Sequence, residues 1–158
     1  MEFQVRKATK NDMPSVLKLI NELAVYEREP DAVEVTVADL ERDGFGDQPL
    51  FNCFVAQAED KIVGMALFYN RYSTWKGKTI HLEDLIVNED YRGKGIGMQL
   101  YKKVMQFALE EKIKRVEWVV LDWNTPAVNF YKNTGASVFS EWDTVQFDQD
   151  SIKKFLNP

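Results

Sequence analysis

The sequence is short of the residues on which many active sites are built. Its 158 residues include one cysteine, Cys53, so no disulfide can close within the chain, and one histidine, His81. A multi-histidine metal site is therefore excluded, a mixed Cys-His zinc site nearly so, and no metal site is expected. A Ser-His-Asp triad would have to use His81, and no Gly-x-Ser-x-Gly turn is present to expose a serine nucleophile. Cys53 lies between Asn52 and Phe54 in an apolar run and reads as a buried thiol. The missing disulfide fits a reducing compartment. The opening residues, Met1-Glu2-Phe3-Gln4-Val5-Arg6-Lys7, lack the apolar core of a signal peptide. No apolar run approaches the ~20 residues that span a bilayer. A cytoplasmic, soluble protein with no membrane partner is the expectation.

Positive charge is also in deficit, with 20 Lys and Arg against 25 Asp and Glu and a net charge of -5. An acidic surface repels phosphates, which disfavours broad nucleic-acid binding. It suits a cationic ligand, because a cleft of one sign concentrates the other. The chain is 45% hydrophobic and 28% charged, near the globular average. Its length suits a single domain over residues 1–158, large enough to bury roughly 68–70% of the unfolded surface.

Local patterns order the chain. Phe3 and Val5 alternate with Gln4 and Arg6 as a short strand. Asn11, Asp12 and Pro14 supply the start of a helix. Val16, Leu17, Ile20, Leu23 and Ala24 give it one apolar face, and it should fade over residues 26–29, before Pro30. A second short helix fits residues 37–43, ended by Gly44. Residues 51–58 and 62–72 form a hairpin around Glu59-Asp60-Lys61, and residues 79–87 follow as a third strand. A helix bearing Leu100, Tyr101, Val104 and Ala108 on one face comes next. A strand is expected over 115–121, then a helix from Thr125-Pro126 to about Asn133. Two short strands near 137–139 and 144–147 and a terminal helical turn complete the list. A meander followed by helical crossovers predicts an α/β fold with a mixed sheet.

The most informative segment is Tyr91-Arg92-Gly93-Lys94-Gly95-Ile96-Gly97, between a strand and an amphipathic helix. Glycines there let the backbone approach a ligand, and the helix start adds positive potential, a combination suited to a pyrophosphate. Arg92 can add charge-assisted contacts. A dinucleotide fingerprint needs G-x-G-x-x-G, but the spacing is G-x-G-x-G. A Walker loop needs Ser or Thr after its lysine, but Gly95 follows Lys94. A glycine-rich turn with no ligand remains open on this segment alone.

Arg92-Gly93-x-Gly95-Ile96-Gly97 is followed by Asn124-x-x-Ala127-x-x-Phe130-Tyr131-x-x-x-Gly135-Ala136. Together they resemble the GNAT (GCN5-related N-acetyltransferase) superfamily over nearly the whole chain. Leu23-Ala24-x-Tyr26-Glu27, Asp43-Gly44-Phe45-Gly46, Leu82-Glu83-Asp84 and Asn129-Phe130-Tyr131-Lys132 are similar to the diamine (spermidine/spermine) and thialysine acetyltransferases. The resemblance implies the GNAT fold, a mixed central sheet with helices on both faces, and acetyl-CoA as cofactor. It implies that Leu85, Ile86 and Val87 lend backbone groups to the pantetheine arm. Arg92, Gly93, Lys94, Gly95, Ile96 and Gly97 would receive the pyrophosphate. Asn124 and Ala127 would touch the cofactor, with Tyr131 beside the sulfur. Tyr26 and Glu27 match an amine-contacting pair. A homodimer through C-terminal strands is implied as well.

The chemistry explains these residue types. An alkylamine titrates near 10.4, and only its neutral form attacks a thioester, so neutral pH imposes ~4 kcal/mol for deprotonation. Glu83 matches the family's base, Tyr131 can protonate the departing thiolate, and the N–H of Ile86 or Val87 can face the developing oxyanion. Asp84 should point to the opposite face if strand alternation holds, and serves either a salt bridge or the acceptor. His81 shares Glu83's face and is either a second base or a structural histidine; no motif stands behind the first. Glu29, Asp31 and Asp122 extend a candidate acidic funnel, with Tyr69, Tyr72 and Trp123 as aromatic faces for an ammonium. The resemblance implies a small cationic amine as acceptor, a polyamine or a lysine analogue such as thialysine; Ser140-Glu141-Trp142-Asp143-Thr144 departs from the polyamine enzymes, so selectivity for polyamines does not follow. The rivals are another amine, such as a peptide N-terminus or an antibiotic, and a non-catalytic acyl-CoA-binding protein.

Overall fold

The computed structural model describes residues 2–157. The chain divides into two compact units, one ending at Val119 and the other beginning at Val120. In the first, β1 (Gln4–Lys7), α1 (Met13–Tyr26), α2 (Val37–Phe45), β2 (Asn52–Ala58), β3 (Lys61–Ser73), β4 (Gly77–Val87), α3 (Ile96–Glu110) and β5 (Val116–Glu117) follow in order. The second holds α4 (Thr125–Asn133) and α5 (Gln149–Leu156).

The strands form a five-stranded sheet in the order β1-β2-β3-β4-β5. Neighbours from β1 to β4 are antiparallel, and β5 is parallel to β4, so the sheet is mixed as expected. Alternation along the strands divides the core. Cys53, Val55, Met65, Leu67 and Ile86 meet Met13, Val16 and Leu19 of α1 and Leu40 of α2 in one buried cluster. On the opposite face, Phe54 and Phe68 pack with Phe107 of α3, their rings 5.0–6.4 Å apart. Truncating Phe68, which is fully buried, would cost ~3–5 kcal/mol. Helices thus cover both faces.

Ahead of α1, the Arg6 guanidinium forks onto both oxygens of buried Asp12, at 2.7 and 2.9 Å. Arg6 also reaches Gln57 on β2, while Asp12 accepts from the backbone and hydroxyl of Thr9. Those contacts, Arg6 foremost, hold the Asp12 carboxyl down at about 2. Thr36 and Asp39 form a capping box that starts α2.

Three expectations need correction. Gly44 does not end α2, which runs on to Phe45. A Cβ on Gly44 would lie 2.4 Å from the Phe51 ring, so glycine there makes room for Phe51. The strand expected over 115–121 pairs with β4 only at Val116 and Glu117. The strands expected near 137–139 and 144–147 are absent, and α5 occupies residues 149–156. No strand lies among the described residues of that unit to pair with them, and Phe139 and Val145 are 69% and 94% exposed. A lone extended segment satisfies neither its backbone groups nor its apolar side chains. The homodimer expectation loses the strands on which it rested. No described helix is long and apolar enough to cross a membrane.

Candidate active site

The register of β3 against β4 breaks at one point. Phe68 faces Leu82 and Leu67 faces Asp84, leaving Glu83 as an extra residue in β4. This is a β-bulge, a device that re-aims side chains. The bulge corrects the expectation for Asp84. Leu67, its partner, belongs to the core cluster beneath α1, so Asp84 shares a face with His81 and Glu83 instead of opposing them.

Asp84 is mostly recessed and has no hydrogen-bond partner among the described residues. Burial, reinforced by the charges of Glu83 and Glu27, pushes its carboxyl up to about 7. Glu27 is the residue after the last turn of α1, and burial and then Glu83 raise it as well. The fold therefore gathers Glu27, Glu83 and Asp84, carried by α1 and β4. Glu29 and Asp31, also assigned to the funnel, lie exposed beyond the helix end.

Glu83 projects further, its side chain half exposed. The Tyr69 phenol donates to Glu83 Oε2 at 2.8 Å. Burial and that carboxylate push the phenol up to about 12, so Tyr69 keeps its proton. His81 Nε2 lies 3.6 Å from the same oxygen. No donor reaches Oε1 among the described residues. Sequence reasoning offered Tyr69 as a face for an ammonium and overlooked that its hydroxyl orients Glu83. Only the register, which sets Tyr69 directly across from His81, reveals this. Tyr72, its companion in that reading, is 77% exposed near the hairpin end.

Along β4, strand pairing with β5 covers only Ile80 and His81. From Leu82 onward, through Leu85, Ile86 and Val87, that edge of β4 pairs with no strand among the described residues, leaving main-chain groups open for an extended ligand. The edge leads to the glycine turn. Gly93 and Gly95 have φ of +73° and +82°, values that L side chains rarely adopt, and a Cβ on either would meet nothing within 4 Å. Gly95 is the N-cap of α3 with no side-chain cap, so the first-turn N–H groups around Ile96 and Gly97 have no capping side chain. A backbone cradle, empty of side chains and positive by its dipole, fits a pyrophosphate.

The two cations of the turn are already engaged. Arg92 Nε donates to the Val87 carbonyl at 2.8 Å, and its guanidinium lies 5.5 Å from the Tyr26 ring centre and 3.7 Å from Glu22. Glu22 also accepts from Asn88 and the backbone of Glu89. Sequence reasoning missed Glu22, which ties the turn to α1. Lys94 Nζ donates to the Asp90 carbonyl at 2.8 Å. Arg92 thus braces the cradle and Tyr26 together.

In the second unit, Asn124 caps α4, accepting from the Ala127 N–H at 3.4 Å. One helix start thus uses both residues assigned to the cofactor. Tyr131 lies in α4 with its ring edge-to-face to Phe130, and its carbonyl accepts from Thr134. Trp123 and Asp122 precede the helix. No group of three His, Cys, Asp or Glu residues suited to a metal occurs among the described residues.

Comparisons agree with this architecture. The model of the Acetyltransferase (GNAT) family matches residues 13–136. The thialysine N-epsilon-acetyltransferase of Bos taurus is 38% identical over 95% of this chain and 95% of its own length. The spermidine/spermine N(1)-acetyltransferase-like protein 1 of Homo sapiens is 39% identical over 95% of this chain, which spans only 23% of that longer protein. An integron cassette protein from the mobile metagenome of V. cholerae superposes with a TM-score of 0.81, at 25% identity over 100% of this chain and 99% of the other.

Proposed function

The chain belongs to the Acetyltransferase (GNAT) family, and from that premise we propose that it transfers an acetyl group from acetyl-CoA to a primary amine of a small cationic acceptor, a polyamine or a lysine analogue such as thialysine. The observation that carries this reading is the gathering of Glu27, Glu83 and Asp84, none of them bridged by a Lys or Arg among the described residues, at the open edge of β4 that leads to the glycine cradle. The relatives' names point the same way.

Each residue has a task in this proposal. Acetyl-CoA, when bound, supplies the acetyl thioester. The backbone of Leu85, Ile86 and Val87 holds its extended arm. The turn from Arg92 through Gly93, Lys94, Gly95 and Ile96 to Gly97 holds its diphosphate, and Asn124 and Ala127 contribute from the start of α4. Tyr26, Glu27, Asp84 and Trp123 hold the acceptor's cationic body. Glu83 takes the amine proton on Oε1 while Tyr69 and His81 steady Oε2. The Tyr131 phenol donates a proton to the departing sulfur. Residues 1–158 act as one catalytic domain in the cytoplasm. We further propose self-association as a homodimer, supported by the exposed apolar side chains of Phe139, Trp142, Val145 and Phe147; a monomer in sedimentation velocity at micromolar concentration would remove it.

A thiol-release screen with spermidine, spermine, putrescine, lysine and thialysine tests the proposal. Release with at least one is expected, and tight coenzyme binding without release from any amine would favour an acyl-CoA-binding protein instead. Tyr131→Phe should lower turnover about 100-fold with little change in coenzyme affinity; full turnover would remove its role as acid. Glu83→Gln should move the pH optimum upward, because the amine must then lose its proton to water. An unchanged profile would dismiss Glu83 as the base.

A further inference from the structure

A second set of contacts runs behind Glu83, across three strands. Glu117 on β5 holds Arg71 of β3, Oε1 to Nη1, at 2.6 Å. The same Nη1 lies 3.4 Å from His81 Nδ1, and His81 Nε2 lies 3.6 Å from Glu83 Oε2. The path enters at β5, crosses β3 and β4, and ends on the proposed base. Its geometry is built in. Tyr69 and His81 are directly opposed, with ring centres 5.3 Å apart, and Arg71 is the diagonal neighbour of His81 on the same face. The Arg71 carbonyl accepts from the buried Thr79 hydroxyl at 2.8 Å, and Glu117 also meets Arg115 at 3.3 Å. The His81 side chain is only 12% exposed, so protein groups and not bulk water decide which ring nitrogen carries the proton.

Arginine offers only donors and stays charged, so a ring nitrogen facing it must present its lone pair. In the neutral ring that assigns Nδ1 as acceptor and Nε2 as the protonated nitrogen. We propose that His81 is a positioning residue for Glu83: Arg71, anchored by Glu117, fixes the Nε2–H tautomer, and this N–H, an electrostatic contact 3.6 Å from Oε2, supports the hydrogen bond by which the Tyr69 phenol holds that oxygen, leaving Oε1 to accept the amine proton. The proposal rests on the reading of Glu83 as base and adds how its carboxylate is held. Arg71 and Tyr69 of β3 and Glu83 of β4 face the ring, Asp84 lies further along β4 on the same face, and Glu117, paired with His81 across β4 and β5, holds Arg71.

Because His81 is the sole histidine, ring nitrogen signals need no assignment. Long-range nitrogen–proton correlation spectra of the full chain, labelled in histidine and held about 1.5 units above the ordinary imidazole value of ~6.5, read the tautomer directly. Wild type should show the Nε2–H form alone, and Arg71→Met should bring in the Nδ1–H form. In amine turnover, His81→Phe should lose ~10-fold in kcat with coenzyme KM unchanged, as misplacement of a catalytic group does. His81→Gln, whose amide N–H extends towards the place of Nε2–H, should recover most of that. An Nδ1–H ring in wild type, an identical tautomer mixture in Arg71→Met, or equal losses in the Phe and Gln variants would overturn the proposal. If Glu83→Gln keeps full turnover while the tautomer results hold, the base assignment fails and the Arg71–His81 contact stands.

Discussion

Asp12, at the start of α1, and Asp84, in β4, are the same residue type in two settings, and the fold treats them in opposite ways. At the β1 end, Asp12 receives a forked guanidinium and two further donors from Thr9, and its carboxyl is held down at about 2. At the bulge of β4, Asp84 receives no donor among the described residues, keeps the company of Glu83 and Glu27, and is driven up to about 7. The first arrangement is complete by itself. The second lacks a positive charge, and a cation arriving from outside would relieve it. A recessed carboxylate is complete where its partner is built in; at Asp84 the lack of one among the described residues supports the proposed acceptor site.

The largest break in that comparison should come from Arg6→Met, which strands Asp12 without its cation. A loss of about 3 kcal/mol in urea unfolding at pH 7 is expected. The folded value of Asp12 is depressed, so its contribution is present above the ordinary carboxylate value and is lost as pH falls through about 2. Wild type and variant should converge there; a gap that persists at the acid end would point to packing instead of charge.

Asp84→Asn should act in the other direction. Its folded value is raised, so from about pH 4 to about 7 the folded chain holds a proton that the unfolded chain has released, and stability falls as pH rises through that window. Asparagine abolishes this slope. The variant should be more stable than wild type at pH 8, by ~2 kcal/mol, and level with it below pH 4. Lower stability at pH 8 would mean that Asp84 has a stabilising partner. The finest adjustment is Glu27→Gln. Removing one like charge should lower the Asp84 midpoint by ~0.5 unit in a carbon-detected carboxyl titration, and no movement would take Glu27 out of the cluster.

Much of this was legible in the sequence wherever a local rule decided the outcome. The glycine turn announced itself by composition, and the structure gives Gly93 and Gly95 the positive φ that such a turn requires. The hairpin around Glu59-Asp60-Lys61 and the apolar face of α3 fall where periodicity put them. The apolar stripe of α1 was drawn slightly off centre: Leu19, unnamed in that reading, is buried, whereas Leu17, Ile20 and Leu23 are only partly so. The bulge was not legible. A strand of Leu82, Glu83, Asp84 and Leu85 alternates plausibly in either phase, and only pairing with Leu67 and Phe68 reveals the extra residue. Arg71 was passed over for the same reason, since its neighbours come from two other strands. The C-terminal segment misled because β-prone residues describe a surface that suits a sheet, and no sheet edge is present in that unit.

The extra residue in β4 also separates heritable shape from heritable chemistry. Excising Glu83 would bring Leu82 and Asp84 into successive pairing with Phe68 and Leu67, the partners they already have. Every residue after the excision would keep its side of the sheet, so the interior would not have to be rewritten. A single codon lost at this point would leave a descendant with the same architecture and without the proposed base, so that shape could outlast the chemistry proposed for it.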